Sequence, residues 1–438
     1  MHTASKKIIN AWAMYDWANS TYNLVITTTF FPIYFTAVTK STYKSDTVTI
    51  LNRSFVNSSL YDYTLSATYF IIALMYPVLA SIADSKGNKK NFMRFFCYMG
   101  AIGCSSLYWF TGDNLWFGII AFMMAAGGYV GSLVFYNAFL PEIAAPADQD
   151  RISARGFSFG YIGSVLMQII GFILVLTITS DPFLAPRITF LLVGLWWAGF
   201  AQITFALVPE QKRNEKVNGN VIREGFTAMK EVYAKVKLMP VLKRYLRGFF
   251  FYSMGVQTVM LAATLFAAKV LMLEDTKLII TVVIIQLVAI PGAIIMSRLS
   301  ARFGNLKVLM GVVLFWILIC IAAYAAANYK EQGGNPEYYF YLLSVCVGLV
   351  MGGIQSLSRS TYSKLMPETK DTASFFTYYD LTEKIAIVIG MFTFGYIDEL
   401  VGMKYSLLSL IIFFALGLVW LYSALTEQKK NIPVQGTV

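Results

Sequence analysis

Gly87-Asn88-Lys89-Lys90 follows one hydrophobic segment of the chain, and a similar tetrapeptide, Gly304-Asn305-Leu306-Lys307, follows another 217 residues later. That offset is about half of the 438-residue length. Weak internal repetition in an apolar chain is typical of transporters that are built from two related halves. Further matches occur at offsets of 225 and 226 residues: Gly127-Gly128 with Gly352-Gly353, and Leu140-Pro141-Glu142 with Met366-Pro367-Glu368.

The composition is that of a membrane protein. Hydrophobic residues make up 57% of the chain and charged residues only 13%, whereas an ordinary soluble domain carries about 25% charged residues. The four cysteines lie in apolar segments, which favours small buried residues over disulfides or metal ligands. The only histidine is His2, so a histidine-based metal site is excluded. No nucleotide loop, zinc spacing or nucleophile triad is recognisable, and we expect no metal, no cofactor and no enzyme activity.

Twelve segments are long and apolar enough to cross a bilayer, which takes about 20 residues in a helix. Charged or turn-forming stretches separate them. The chain is therefore predicted to be an all-α membrane protein with twelve transmembrane helices. The predicted spans are 8–38, 60–83, 92–111, 115–140, 155–179, 186–208, 245–271, 277–299, 307–327, 338–362, 373–397 and 404–425.

Basic residues predict the orientation of these spans. An even number of spans places both termini on one side. Of the 35 lysines and arginines, 26 lie at the loops on the side of the termini, eight lie at the opposite loops, and Lys384 lies within a span. Because cytoplasmic loops carry the excess of basic residues, both termini are predicted to be cytoplasmic. The net charge of +11 is thus explained by topology, and no nucleic-acid partner is expected.

The longest connection on the side of the termini divides six spans from six. We therefore predict an N-terminal six-helix bundle over 1–208, a cytoplasmic linker over 209–244, a C-terminal six-helix bundle over 245–425 and a cytoplasmic tail over 426–438. Apolar residues at helical spacing in the linker predict an amphipathic helix on the membrane surface or the underside of the bundles, or a plain connecting helix. They are Ile222, Phe226, Met229, Tyr233 and Val236.

The loop after the second span resembles the loop motif of the major facilitator superfamily, G-x-L-A-D-R-x-G-R-K-x. Within the segment 80–90, Asp84, Gly87 and Lys89 match this motif, whereas Ala80, Ser85 and Asn88 depart from it. In the second copy Arg302 and Gly304 match, and Ala301 replaces the acid. The resemblance implies two pseudo-symmetric six-helix bundles, with these loops controlling the conformational change.

Further segments resemble one branch of that superfamily, the unknown-major-facilitator family that includes fungal autophagy-related vacuolar effluxers. The resemblance implies a transporter. Fungal relatives are associated with amino-acid release from the vacuole, whereas bacterial-type members are mostly assigned no substrate. The segments are Trp12-Ala13-Met14-Tyr15-Asp16-Trp17-Ala18-Asn19-Ser20, Phe31-Pro32-Ile33-Tyr34-Phe35, Tyr136-Asn137-Ala138-Phe139-Leu140-Pro141-Glu142, Arg151-Ile152-Ser153, Gly160-Tyr161-Ile162-Gly163 and Gly353-Ile354-Gln355-Ser356-Leu357-Ser358-Arg359-Ser360.

Two intramembrane groups are candidates for coupling or substrate binding. The first span carries a polar stripe that includes Asp16, Asn19 and Asn23 on one helix face. A carboxylate within a span is costly in lipid, so Asp16 is either a proton or substrate site or a structural ion pair. The eleventh span carries Asp380, Glu383 and Lys384. Lys384 is either a counter-ion for a carboxylated substrate or part of an internally neutralised cluster.

Three other spans add polar candidates to this set. The tenth span carries Gln355 and Arg359, which offer hydrogen-bond donors to a cavity. Arg359 is close to the cytoplasmic end, where it either snorkels to the interface or holds a gate. The fifth span carries Tyr161 and Gln168 on a mixed face, and Tyr379 of the eleventh span is an aromatic cavity candidate.

These features together predict a secondary active transporter that works by rocking of the two bundles. We expect a small metabolite as substrate, with amino acids or short peptides favoured, protons as coupling ion, and efflux as a candidate direction. The alternative is a lipid or amphiphile translocator of the same fold. A monomer in the cell membrane is expected, or in a vacuole-type membrane in a eukaryote.

The charge bias makes the topology testable. The segment Lys40–Arg53 is expected outside and Asn214–Lys237 inside. A membrane-impermeant maleimide should therefore label Ser45→Cys in intact cells, whereas Asn220→Cys should react only after permeabilisation. Labelling of position 220 from outside would refute the orientation.

Overall fold

The computed structural model describes residues 2–50, 52–209 and 221–430. The described chain is almost entirely helical. A π-helical stretch, Tyr22–Phe30, joins the first two α-helices, and a short hairpin of β1 (Thr47–Ile50) and β2 (Arg53–Val56) follows the second. The α-helices are α1 (Lys6–Thr21), α2 (Phe31–Tyr43), α3 (Asn57–Lys86), α4 (Lys89–Ser106), α5 (Leu115–Ala138), α6 (Leu140–Ile143), α7 (Gln149–Thr177), α8 (Leu184–Leu207), α9 (Val221–Leu238), α10 (Pro240–Lys269), α11 (Asp275–Phe303), α12 (Asn305–Glu331), α13 (Glu337–Leu365), α14 (Thr372–Val401) and α15 (Met403–Lys430).

Every predicted span coincides with helix. The first span comprises α1, the π-helical stretch and α2, and the others are α3, α4, α5, α7, α8 and α10 to α15. Eight helices in the described ranges are long and apolar enough to cross a membrane by composition alone. The remaining four spans, which include α14 with its charged residues, cross as part of the same bundles. The face of the molecule at which α1 begins and α15 ends is called the termini side below.

Equivalent helices pack in equivalent ways in the two halves. In the first bundle α4 packs on α5 and α8, and α1 packs on α8. In the second bundle α12 packs on α13 and α15, and α10 packs on α15. The bundles meet along two seams, where α7 contacts α11 and α13, and α14 contacts α3 and α5. The predicted pair of pseudo-symmetric six-helix bundles is therefore confirmed.

Small residues allow α4 and α5 to touch backbone to backbone. A Cβ atom on Gly128 would lie 2.3 Å from the Cα atom of Gly100, and one on Gly100 would lie 2.3 Å from the ring of Trp197. In the other bundle, a Cβ atom on Gly352 would lie 2.1 Å from the carbonyl oxygen of Ala289. Without a hydrophobic force between helices in lipid, such close packing is a main source of helix association.

The π-helical stretch has a local cause in Pro32. In this stretch an N–H group bonds the carbonyl five residues earlier, as Phe31 does with Ile26. Pro32 has no N–H group, so the carbonyl of Thr27 lacks its regular donor. The hydroxyl of Tyr61 donates to that carbonyl at 2.7 Å. The irregular backbone of the first span is thus compensated by a side chain of α3.

The linker residues from Val221 onward form the helix α9. Val236 is buried, whereas Phe226 and Tyr233 are exposed, and the position of this helix on the membrane surface or the underside of the bundles stays a prediction. A Cβ atom on Gly225 would lie 2.6 Å from the Cα atom of Val78, so glycine lets α9 approach α3 closely. This approach rotates α9 so that Gly225 and its helical neighbours face the bundle. The side chain of Ile222 and residues 210–220 lie outside the described part.

The contact between Gly128 and Gly100 predicts a loss of stability on substitution, which a matched glycine variant can control for. Gly128→Ala should destabilise the protein by about 1–3 kcal/mol because the methyl group has no space between α4 and α5. Gly199→Ala, in α8, should be neutral or stabilising, because nothing lies within 4 Å of its Cβ position. Thermal unfolding of both variants in detergent tests this. Equal melting temperatures would contradict the close approach.

Candidate functional site

Three clusters of polar side chains, called latches below, join the two bundles at the termini side. In the first latch, a guanidinium nitrogen of Arg359 (α13) lies 3.4 Å from Oδ2 of Asp16 (α1), and both side chains are buried. The hydroxyl of Tyr136 donates to the same oxygen at 2.7 Å. Arg359 also donates to the hydroxyl of Ser153 at 3.0 Å, to its carbonyl oxygen at 2.9 Å and to Oδ1 of Asn137 at 3.1 Å. One arginine of the second bundle thus binds three helices of the first.

Aromatic rings and a glycine complete this latch. The guanidinium carbon of Arg359 lies 4.9 Å from the ring centre of Trp12 and 4.3 Å from that of Phe157. A Cβ atom on Gly156 would lie 2.5 Å from Oδ2 of Asp16 and 2.9 Å from a nitrogen of Arg359. Only glycine therefore fits at position 156 beside the ion pair. The rings exclude water and lower the local dielectric, which strengthens the attraction between the two charges.

The second latch contains the predicted conformational loop. Asp84, near the end of α3, accepts hydrogen bonds from the backbone N–H groups of Ala373 and Ser374 at 3.1 and 2.8 Å, and from the Ser374 hydroxyl at 2.7 Å. These donors lie in the first turn of α14, where the helix dipole also favours an anion. Lys89 pairs with Asp84 at 3.7 Å and contacts Glu142. Gly87 ends α3 with a φ of 61°, which glycine adopts without strain.

The third latch joins the bundles at the seam where α7 contacts α11 and α13. Asp150, at the start of α7, lies 2.7 Å from the hydroxyl of Ser300, 2.7 Å from Nδ2 of Asn305 and 2.6 Å from Nζ of Lys364. Of the predicted second loop copy, Gly304 has a φ of 88° between α11 and α12. Arg302 lies over the ring of Phe303.

The sequence-based analysis missed Asp150, Asn305 and Lys364 as inter-bundle contacts. The loop repeat held one indication of this contact, because Asn305 corresponds to Asn88 and Ala301 stands where the first copy has Asp84. The second copy therefore has no acid of its own, and another helix must supply the acid for an equivalent contact. Its identity could not be read from the repeat, because Asp150 precedes the loop by about 150 residues.

A second group lies deeper, on α14 and facing the first bundle. Nζ of Lys384 lies 3.7 Å from Oδ1 of Asp380 and 3.7 Å from Oε2 of Glu383. It also lies 5.5 Å from the ring centre of Tyr69 on α3. Nε2 of Gln257 donates to Glu383 at 2.8 Å. The side chains of Lys384 and Glu383 are 13% and 18% exposed, against 5% for Asp380, so the first two are the more accessible.

Other predicted residues surround these groups without forming one site. Nε2 of Gln168 donates to Thr29 at 3.2 Å, and its Oε1 accepts from Gln286 of α11 at 2.9 Å, which joins the bundles at mid-depth. Gln355 contacts the sulfur of Met260 at 3.3 Å. The remaining predicted residues are enclosed by the protein to different degrees. Asn19, Tyr161 and Tyr379 are buried, and Asn23 is half-buried.

Sequence comparison places the chain among transporters. It matches the family described as vacuole effluxer Atg22 like over residues 4–432. It is 30% identical over 433 residues to the MFS-type transporter YxiO of Bacillus subtilis, which covers 97% of this chain and 96% of that protein. It is 25% identical over 411 residues to autophagy-related protein 22 of Kluyveromyces lactis, covering 86% of this chain and 82% of that one.

Solved structures share the fold at low sequence identity. The human organic anion transporter MFSD10 superposes with a TM-score of 0.70 at 12% identity, covering 95% of this chain and 99% of that one. The proton:xylose symporter XylE superposes with a TM-score of 0.69 at 12% identity, covering 97% and 95% of the two chains. These likenesses establish the major facilitator architecture.

The first latch predicts a change in accessibility when its charge is removed. Asp16→Asn leaves Arg359 buried without a counter-charge, which should separate the bundles at the termini side. A cysteine introduced at the buried Ser356, on the closed seam, should then react several-fold faster with a maleimide added from that side.

The control is Asp148→Asn, which removes a half-buried acid on the same side of the molecule that contacts only groups of the first bundle, the exposed Arg151 and the hydroxyl of Thr3, among the described contacts. It should leave the labelling rate unchanged, because exposed ion pairs contribute little. A labelling rate at Ser356→Cys that does not respond to Asp16→Asn would show that the first latch does not hold the seam closed.

Proposed function

Because this chain belongs to the vacuole effluxer Atg22-like family, whose members are membrane transporters, we propose that it is a proton-coupled secondary active transporter of amino acids or short peptides. The two bundles rock about the central residues and expose them to one side of the membrane at a time. In a vacuole-type membrane the proposed direction is efflux into the cytoplasm, the direction in which protons leave an acidic lumen, whereas in a cell membrane the inward proton gradient would drive uptake. The chain is a multi-pass integral membrane protein, and we propose that its termini side is cytoplasmic in the cell membrane, or in a vacuole-type membrane in a eukaryote.

The observation that carries the proposal is the charged group on α14. Charged side chains are expensive within a bilayer and usually mark a substrate or ion pathway. Lys384 and Glu383 present one positive and one negative group, both partly accessible, toward the opposite bundle. An amino acid or a short peptide carries an ammonium and a carboxylate, which complement this pair. No comparable observation favours a lipid or amphiphile, whose apolar body the charged pair would not match.

The latches support alternating access. The hydrogen bonds that join the bundles within the described ranges lie at the termini side or at mid-depth. This arrangement corresponds to a state closed at the termini side, in which the central residues are reached from the opposite side. In the second state these latches must open, so each bond that holds the seam contributes to the equilibrium between the two states.

The first latch offers one way to link protons to this equilibrium. Asp16 is the acid that balances Arg359 across the seam. A proton on Asp16 would remove the charge that holds Arg359 and would weaken the closed state. Asp16 thus remains a proposed coupling residue in addition to its role in the seam.

Substitutions of Lys384 distinguish a substrate counter-ion from a structural charge. Lys384→Met should destabilise the protein by about 3–5 kcal/mol, because it leaves two buried acids without a counter-charge. Adding Asp380→Asn should restore folding. If Lys384 binds the substrate carboxylate, the well-folded double variant should still bind no substrate. The measurement is thermal unfolding with and without amino acids and dipeptides, since a ligand stabilises the state that binds it.

A matched control is Lys404→Met. Lys404 pairs with Glu331, whose side chain is 58% exposed, so the same substitution there should lower the melting temperature much less than Lys384→Met does and should spare binding. Substrate affinity at the wild-type level in the double variant would rule out the counter-ion role.

A further inference from the structure

We propose that Asp380 carries the coupling proton, and that the substrate's carboxylate drives its uptake by taking over Lys384. The transported species is then a zwitterion with one free carboxylate, accompanied by one proton. This inference rests on the proposed function and adds to it the identity of the proton site and the reason why substrate and proton bind together.

Lys384 is held loosely enough to change partner. Its Nζ atom lies 3.7 Å from each of the two carboxylates. Hydrogen bonds of nitrogen to oxygen are usually about 2.7–3.2 Å long, so both contacts are ionic rather than well-formed hydrogen bonds. An ammonium has three donors. A substrate carboxylate that approaches from the accessible side can therefore form a short bond with Lys384 that neither resident acid makes.

Asp380 is poorly stabilised as an anion once that happens. Its Oδ2 atom is buried and receives no hydrogen bond in the described part of the structure. The hydroxyl of Tyr76 is a neighbour of this carboxyl, but its hydrogen is donated to the carbonyl oxygen of Val130 at 2.7 Å. Lys384 is thus the main stabiliser of the Asp380 charge. A proton on Oδ2 would remove the charge.

Glu383 differs from Asp380 in a way that assigns the two acids different roles. It accepts a hydrogen bond from Gln257 at 2.8 Å, which stabilises the ionised form. Its side chain is also the more exposed of the two. Because it is the more accessible acid, Glu383 is placed to receive the substrate ammonium, whereas the buried Oδ2 of Asp380, which receives no hydrogen bond from the described residues, is placed to take the proton.

The charges balance through the binding step. The empty group of Asp380, Glu383 and Lys384 has a net charge of −1. A zwitterion adds no net charge, and one proton from the open side protonates Asp380, so the loaded group is neutral. A neutral group is cheaper to enclose in a low-dielectric cavity while the bundles rock. On the other side, release of the substrate returns Lys384 to Asp380, and the proton leaves in the same direction as the substrate.

Few other titratable side chains near Asp380 could bind the coupling proton. The helices packed against Asp380 present Tyr69 and Tyr76 from α3 and Tyr129 from α5, and Tyr252 from α10 lies near Glu383. Phenols ordinarily titrate at about pH 10, well above neutrality. Among the described residues, Glu383 beside it and Asp16 in the first latch are the competing acids. Variants of each can be compared directly.

The test measures binding and proton uptake on the purified full-length protein. The probes are a mixture of the twenty proteinogenic L-amino acids with dialanine, and a matched mixture of amines that lack the carboxylate. Binding is followed by the melting temperature, and proton uptake by a pH indicator in weakly buffered solution. We expect the first mixture to stabilise the protein and to cause uptake of about one proton per molecule, and the amines to cause no uptake.

The wild-type protein also predicts a pH dependence that needs no variant. If one proton is taken up with each substrate, affinity should fall by up to about tenfold for each unit by which pH rises. Asp380→Asn should bind without proton uptake, and its affinity should be independent of pH. Glu383→Gln should weaken binding and retain the coupled proton.

The possible outcomes separate this inference from the proposed function. Stabilisation without proton uptake, or uptake that persists in Asp380→Asn, overturns the inference and leaves the amino-acid or peptide transporter standing. Uptake that is lost in Asp16→Asn but kept in Asp380→Asn also overturns it and assigns the proton to the first latch. Failure of every probe in the first mixture to stabilise the protein overturns the proposed substrate class, and the inference with it.

Discussion

A buried charge in a membrane protein must have a counter-charge, and the contacts between the two bundles follow from that constraint. Separating Arg359 from Asp16 would leave a guanidinium in a low-dielectric seam among aromatic rings. Such a pair adds little net stability relative to apolar packing, yet it strongly resists removal of one partner. This combination suits a gate. It specifies a closed arrangement without making that arrangement irreversible, and the cost of opening falls when water or a proton reaches the acid.

The second and third latches apply the same chemistry with the roles of the helices exchanged. In the second latch the acid, Asp84, is at the end of α3, and the donors are at the start of α14. In the third latch the acid, Asp150, is at the start of α7, and its donors include Ser300 near the end of α11 and Asn305 at the start of α12. Ala301 stands at the position that corresponds to Asp84 in the loop repeat. Both latches therefore join helix ends of the two bundles through one acid of the first bundle, carried by α3 in one latch and by α7 in the other.

The sequence was sufficient for the fold because hydropathy, loop charge and the internal repeat all act locally or through simple counting. All twelve spans coincide with helix for that reason. The site was only partly predictable. Asp380, Glu383 and Lys384 share one turn of helix, so their proximity could be predicted from spacing. The pairing of Asp16 with Arg359 could not, because 343 residues separate them and only packing brings them together. The approach of α9 to α3 could not be predicted for a related reason, since it depends on Gly225 meeting a particular backbone.

The irregular first span connects these groups. Pro32 disrupts the backbone hydrogen bonds of the π-helical stretch, and Tyr61 compensates at Thr27. Thr29 in the same stretch accepts from Gln168, which in turn accepts from Gln286 of the other bundle. The same span carries Asp16 nearer the termini side, in the first latch. A change in the backbone register between Tyr22 and Phe30 would therefore move the mid-depth contact and the latch relative to each other. Because π-helical turns lack the regular α-helical bonding, such a change is less costly there than in a regular helix. Pro32 thus lies next to a π-helical backbone that separates the latch contact of Asp16 from the mid-depth contact of Thr29.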